Sequence, residues 1–433
     1  MLWIIGLFLL FQVAYHVIVT IFWYGIQWID PTLIAILRDG VRIFFVVLFA
    51  LYYHKYWKVY VAHWWKVWLG FVVLVIFAIL TSFFLFHRSP SDMLIGIKYG
   101  LWRMMILLTA SGLGFFLGQK KQTLTSSFSW IKWSLVVIVI LGRIWQVGKL
   151  LFPDVFFFLG YGKLDDFHFG VNPPIYYLTG FEGTLRWQGL FSWPNNYGYF
   201  LLLFLPLILY FFPLKKVSGV RTWLRVNQLS LLVILLRIGA LLATLSRAAF
   251  VGLFVIGVIS QFSFLKQHKK QMIAFGLLAL FLLIGISVWK WDSTQAHLQA
   301  KRGGLIDVIN APLGFGLGSS GPAVHHWGNK LPENYYLQLM LDMGTIGFLI
   351  WCGVMALGLH EIKKLRLALL AQGKGNDESY QIFLALQKGL LAFLVMGMFL
   401  HVFEDSMVNY LFFSLYGMSL GYLSALVARD QEW

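Results

Sequence analysis

The chain has 433 residues, 59% of them hydrophobic and 12% charged, with a formal net charge of +16. A soluble domain carries about 25% charged residues, so this composition excludes a soluble globular protein. The single cysteine, Cys352, excludes an internal disulfide.

Apolar runs of about 20 residues recur along the chain, and each is long enough to cross ~30 Å of hydrocarbon. The short alternating segments of a β-barrel are absent. The expected fold class is therefore all-α: a polytopic transmembrane helical bundle forming one integral membrane domain over residues 1–433. The opening stretch MLWIIGLFLLFQVAYHVIVTIFW has no basic n-region and no small-residue cleavage site, so it reads as a retained first helix. Apolar patterning predicts helices at about 2–23, 34–53, 67–86, 94–117, 128–149, 197–213, 228–244, 249–265, 272–290, 335–358, 381–400 and 409–427.

The loops between these helices alternate in character. One side holds 54–66, 118–127, 214–227, 266–271, 359–380 and the tail, with most of the basic residues, among them Lys55, Lys58, Lys120, Lys121, Lys215, Lys216, Lys269, Lys270, Lys363 and Lys364. The positive-inside rule makes this side cytoplasmic, so both termini are expected inside, with about twelve spans. The net charge is then a topology signal, and no nucleic-acid partner is expected. The opposite side carries most of the acids and the only two long loops, 150–196 and 291–334, both rich in Trp, Tyr, Phe, Pro and Gly. Loops of that length are usually functional or disordered, and this composition is not that of a disordered segment. Their aromatic rings suit either the lipid interface or the faces of sugars.

Three external arginines stand out. Arg186 lies in GTLRWQGLFSWPNN (183–196), Arg302 in KRGGLIDVINAPLGFGLG (301–318), and Arg247 in the short turn TLSRAAF. Arg186 and Arg302 are each followed by a glycine eleven residues beyond the next position, Gly198 and Gly314. A charge at membrane depth is costly and faces a polar cavity or snorkels outward. The planar guanidinium pairs phosphate oxygens bidentately, so a phosphate-bearing ligand is the natural partner. In LPENYYLQLMLDMGTIGF (331–348), Glu333 precedes a long apolar helix. It is either a helix-terminal charge favoured by the macrodipole or a general base, with Asn334 beside it to hydrogen-bond a hydroxyl. His325 and His326, just upstream, are alternative bases.

Metal sites are weakly indicated. Asp165, Asp166 and His168, or His401, Glu404 and Asp405, lack a clear ligand geometry. Asp342, at helical spacing from Gln338 and Thr345, faces the bundle interior, and Arg38, Asp39 and Arg42 form another polar cluster. No P-loop and no GxGxxG leading into a helix occurs, so ATP-driven chemistry is unsupported.

Three ordered stretches carry a resemblance: RWQGLFSWPNNYGYFLLLFLPL (186–207), LATLSRAAFVGLFV (242–255), and PLGFGLG with ENYYLQLMLDMGTIGFLIW (312–351). Together they resemble the bacterial O-antigen polymerase and ligase superfamily, over roughly residues 180–355. The resemblance implies a membrane glycosyltransferase of the GT-C kind, acting on the outer face of the bacterial cytoplasmic membrane. Donor and acceptor would be oligosaccharides on undecaprenyl pyrophosphate, with membrane lipids and a chain-length regulator protein as further partners and no metal or other cofactor. By position, Arg186 and Arg302 match the family's loop arginines and Arg247 its SR arginine. Asn195, Asn334 and Tyr335 complete the candidate substrate contacts, with His325 and His326. The ligases resembled here usually carry His before the Asn that opens this helix, whereas this chain has Glu333. That departure favours a polymerase over a ligase. A transporter is the rival reading from another class, but no half-to-half symmetry is visible in the sequence.

Overall fold

The structure, a computed structural model, describes residues 15, 17–26, 60, 64–119, 124–162, 173–179, 183–215, 217–260, 285, 288, 291–321, 332–400, 402–403 and 406–431. The expected helix at 34–53, most of those at 2–23 and 272–290, and the cluster of Arg38, Asp39 and Arg42 lie outside the described residues.

In chain order the elements are α1 (Trp64–Phe84), α2 (Pro90–Gly100), α3 (Trp102–Gln119), α4 (Leu124–Leu151), α5 (Pro153–Phe158), β1 (Tyr177–Thr179), β2 (Thr184–Arg186), α6 (Pro194–Leu203), α7 (Leu205–Phe211), α8 (Val220–Ala243), α9 (Arg247–Ser260), α10 (Trp291–Asn310), α11 (Tyr335–Ala371), α12 (Glu378–Met396) and α13 (Ser406–Gln431). Among the described residues, α1, α4, α8, α11, α12 and α13 are each long and apolar enough to cross a membrane; α2 and α3 together make a seventh candidate, bent by 61°. The protein is thus an all-α membrane protein. Its one described sheet is the antiparallel ribbon of β1 and β2, with Tyr177 opposite Arg186.

α1 shows how the sequence sorts itself between protein and lipid. Trp64, Val67, Phe71, Leu74 and Ala78 are buried at helical spacing, while Trp65, Leu69, Val72, Ile76 and Leu80 are exposed. Beyond Lys66 in its first turn, this exposed face is apolar, as contact with acyl chains requires.

The described chain forms two compact units. Unit 1 holds residues 1–42, 125–291 and 384–396, and unit 2 holds 43–124, 292–383 and 397–433. Three expectations change. The span at 197–213 is two helices, because Pro206 has no N–H to continue the ladder, and α6 gives way to α7 at Phe204. The loop at 291–334 opens with the helix α10. The span at 335–358 runs on to Ala371.

In unit 2, α3 and α13 approach backbone to backbone. A Cβ on Gly421 would stand 1.7 Å from the Ser111 carbonyl oxygen, and one on Gly114 1.9 Å from that of Met418. Small residues permit such approach between membrane helices, where dispersion contacts replace the hydrophobic drive.

α11 is broken at Gly344, which has φ 70° and ψ 173°. A strap formed by residues 311–321 takes up the backbone groups this break releases. The Thr345 N–H donates to the Pro312 carbonyl at 2.8 Å, and the Phe315 N–H donates to the Leu341 carbonyl at 2.7 Å. Three donors fix the Asp342 carboxylate to the same strap: the Ser319 hydroxyl (3.1 Å), the Ser320 N–H (2.9 Å) and the Ser320 hydroxyl (2.8 Å). From the turn after α1 the Arg88 Nε–H donates to the Phe315 carbonyl (3.0 Å), and on α1 the Ser82 hydroxyl accepts from the Leu317 N–H (2.8 Å). Asp342 faces the interior, as its spacing predicted, with 2% of its surface exposed. Gly344→Ala introduces a Cβ 2.5 Å from the Leu313 carbonyl oxygen at a positive φ. The substitution is expected to cost about 1–3 kcal/mol, read as a lowered thermal midpoint of the purified protein. An unchanged midpoint would remove the strap from the stability argument.

Candidate functional site

Two polar clusters contain the candidate residues, one inside each unit.

In unit 1 the ribbon presents Arg186 to the C-terminal end of α8. The last carbonyls of a helix have no partner within it. Here the Trp187 N–H donates to the Ala243 carbonyl (2.9 Å), and the Arg186 Nε–H donates to the Thr244 carbonyl (3.0 Å). The Arg186 Nη2 donates to the Asn195 Oδ1 at 2.7 Å. Asn195 lies in the first turn of α6, which Pro194 opens after extended Trp193. Asn195 thus positions Arg186, a role distinct from the substrate contact expected of it.

Arg247 opens α9, directly after the turn that includes Leu245 at φ 49°. That turn is held against α6 by Gly198, where a Cβ would meet the Thr244 hydroxyl at 3.1 Å and the Ala249 Cβ at 3.2 Å. The glycine at that spacing is therefore a close-approach position. Burial pulls the Arg186 guanidinium down to about 10; Tyr199 and Tyr177 oppose the shift, and the neighbouring charge of Arg247 adds to it. At neutral pH Arg186 remains protonated. Burial pushes the Tyr177 phenol up against the opposing pull of Arg186, so this phenol stays neutral. The cluster therefore holds two guanidiniums within electrostatic reach of each other, flanked by two tyrosines. Among the described residues of unit 1, the one acid is Asp154, which is exposed. Such a concentration of positive charge suits an anionic ligand, because it gains charge-assisted hydrogen bonds where water is scarce.

In unit 2 Glu333 and Asn334 divide two roles. Asn334 is the N-cap of α11: its Oδ1 accepts from the Tyr336 N–H (2.9 Å) and the Leu337 N–H (3.1 Å), while its Nδ2 donates to the Met398 carbonyl (2.9 Å). Glu333 is left to face elsewhere, at φ 52°, a region that non-glycine residues rarely occupy. Its Oε2 lies 3.0 Å from the Nδ1 of His297 on α10, and both side chains keep about a quarter of their surface exposed (24% and 25%). A part-exposed carboxylate beside an imidazole is an arrangement that can accept and pass on a proton. Nothing in the sequence marks His297, which lies 36 positions before Glu333 with no local motif joining the pair.

The other candidates fall as follows. Tyr335 is fully buried and is committed to packing: its hydroxyl donates to the Gly100 carbonyl (3.2 Å), and its ring lies 4.4 Å from the Arg103 guanidinium and 4.5 Å from the Phe403 ring. Its place is behind the N-terminus of α11, a structural position where a ligand contact was expected. Arg302 sits on the exposed face of α10 with Leu298, Leu305 and Ile309. Its neighbour Lys301 lies over the Phe399 ring at 5.0 Å. His325 and His326 lie outside the described residues, as do Asp165, Asp166, His168, His401, Glu404 and Asp405. The structure thus brings Arg186, Arg247 and Asn195 together in unit 1, and Glu333 and Asn334 together in unit 2, where it adds His297.

No protein-family model, curated protein or solved structure matches this chain.

Asn334→Ala removes the α11 cap and is expected to cost about 1 kcal/mol, whereas Asn334→Ser, which keeps a capping oxygen, restores most of it. Thermal melting of the two purified variants checks this; equal loss in both would show that the Met398 contact, not the cap, is what matters.

Proposed function

We propose that the chain is a polysaccharide polymerase. It moves a glycan from undecaprenyl pyrophosphate to a sugar hydroxyl of a second lipid-linked repeat unit, on the outer face of a bacterial cytoplasmic membrane that it crosses about twelve times with both termini inside. The observation that carries this reading is the pairing of Arg186 with Arg247, with the Arg186 fork held by the Thr244 carbonyl and Asn195. The resemblance of the stretches around these two arginines to O-antigen polymerases supplies the substrate class.

In the proposed step the acceptor hydroxyl oxygen bonds to the anomeric carbon of the donor. The bond from that carbon to the pyrophosphate oxygen breaks, and the electron pair leaves with undecaprenyl pyrophosphate. The hydroxyl proton passes to a general base, and Glu333, beside His297 within unit 2, is the candidate for that role. Arg186 and Arg247 stabilise the negative charge that grows on the leaving pyrophosphate, and Arg302 contributes a further substrate contact. Two lipid-anchored substrates held in one membrane plane also gain from proximity.

A ligase, which would deliver the glycan to a lipid core, is the alternative in the same class; Glu333 in the place of the ligases' histidine counts against it. One observation favours transport, the break in α11 at Gly344, since transporters bind solutes at discontinuous helices. Here the strap and Asp342 consume the released groups, which weighs against a solute site at that break.

Incubation with a lipid-pyrophosphate repeat unit separates the readings. A ladder of products supports the polymerase; transfer that needs added lipid core supports the ligase; no transfer, with movement of the lipid across vesicles, supports transport. Arg186→Lys keeps the charge and loses the fork, and it is expected to slow chain extension by roughly ten- to hundredfold. Wild-type polymer length in that variant would count against the pyrophosphate role. Glu333→Gln is expected to express normally and stop extension; polymer formation by it would move the base to His325 or His326.

A further inference from the structure

α10 divides its side chains between two faces. On one, His297 meets Glu333 at 3.0 Å, and Lys301 lies over the Phe399 ring at 5.0 Å. Gly304 belongs to the same face and packs so closely that a Cβ there would stand 2.5 Å from the Cβ of Pro332. This face is spent on unit 2. The other holds Leu298, Leu305 and Ile309 at helical spacing, with Arg302 among them. Leu298 is 57% exposed and Ile309 67%. Leu313, just past the helix, is exposed as well. A helix that faces water carries polar residues on its outer side, so an apolar stripe of this length calls for an apolar neighbour.

Two spans fix the depth at which that stripe lies. α1 ends at Phe84, and in its last turn the Ser82 hydroxyl accepts from the Leu317 N–H of the strap. The strap therefore lies at the end of α1, where Phe83, Phe84 and Leu85 are all exposed. α11 gives the same level. Between Thr345 and His360 it has no charged residue, and its charges begin at Glu361. That uncharged stretch spans about 24 Å, most of the ~30 Å of hydrocarbon. The Pro312 carbonyl accepts from the Thr345 N–H, so the end of α10 enters the strap near the edge of the hydrocarbon remote from Glu361. Farther back, Gly304 is against Pro332 and Leu337, at the start of α11. The part of α10 from Gly304 to Asn310 thus lies beside the first turns of α11, at the depth where acyl chains give way to headgroups.

We propose that this face of α10, with Leu313, is seated in the lipid leaflet at the N-terminal end of α11. Leu305, Ile309 and Leu313 lie among the acyl chains, and the Arg302 guanidinium reaches the lipid phosphates. A long basic side chain at that depth keeps its stem in apolar surroundings and its charge among headgroups, which accounts for an arginine within the stripe. The bilayer itself is the occupant. The seat also holds the Glu333–His297 pair at the membrane surface, because His297 adjoins Leu298 on the same helix. It does not depend on glycan transfer.

The test uses the full chain in phosphatidylcholine nanodiscs, with Cys352→Ser to remove the one native thiol. Nitroxides are attached through Leu305→Cys, Ile309→Cys and, off the stripe, Gly303→Cys, where an added Cβ meets nothing within 4 Å. Power-saturation EPR reads access to oxygen and to a water-soluble nickel chelate. The labels at 305 and 309 are expected to be open to oxygen and shielded from nickel, at a depth of about 5–10 Å into the headgroup and acyl boundary. The label at 303 is expected to be more open to nickel. Equal nickel access at all three positions overturns the proposal, because the face is then in water. Shielding of 305 and 309 from both reagents also overturns it, because a protein then covers the face. The unsubstituted chain gives an independent reading. A phosphatidylcholine with a diazirine in its acyl chain, photolysed in the same nanodiscs, is expected to label Leu305, Ile309 or Leu313 along with the exposed face of α1. Labelling of α1 with no adduct over 303–313 overturns the proposal.

Discussion

Inside a bilayer every backbone N–H and C=O must find a partner within the protein, because no water is there to supply one. This chain breaks its apolar helices repeatedly, and the rest of its architecture follows from how each break is repaired. At the bend between α2 and α3, Arg103 donates to the Tyr99 and Gly100 carbonyls, and to that of Phe403. At the junction of α6 and α7, Arg237 reaches the Phe200 and Leu201 carbonyls. At the end of α8, Arg186 meets Thr244. At Gly344 the strap does the work with its own backbone, and Arg88 ties that strap in place through Phe315. Arginine is suited to this role because its five donors spread over a planar fork. One edge can satisfy a carbonyl while another remains for something else.

That double use changes how the charged residues are understood. From sequence, an arginine in an apolar setting reads as a site residue because burying it is expensive. In the structure the same guanidinium is first a structural clamp, and the proposed function uses only what the clamp leaves over. Arg186 is the clearest case: the bonds to Thr244 and Asn195 that fix its orientation also preorganise the fork. Preorganised donors need no rearrangement when charge develops on a bound group.

The spans that are long, apolar and unbroken were legible from hydropathy alone. α1, α4, α8, α12 and α13 all fall where the apolar runs put them. α10 was not, because its polar and apolar residues balance and nothing in its composition separates it from a loop. The ribbon that carries Arg186 has strands of three residues each, too short to leave a period. Glu333 lies before a helix as expected, yet the N-terminal N–H groups of Tyr336 and Leu337 are taken by the side chain of Asn334. That division depends on the left-handed backbone at Glu333, which no residue type there announces. His297, Arg143 and Arg237 became visible only through contacts made across the fold.

The clamp geometry also sorts the two basic residue types by where they can be exchanged. The loops read as cytoplasmic carry mostly lysine, and there a point charge suffices to set orientation. The carbonyl clamps at positions 88, 103, 143, 186 and 237 are all arginine, and at 103 and 237, where one fork reaches more than one carbonyl, the point charge of a lysine would not replace it. Lineages descending from this chain would then drift freely between Lys and Arg at the loop positions, while the five interior positions stayed arginine. The guanidinium pattern would mark where the helices break even after the surrounding apolar sequence had diverged.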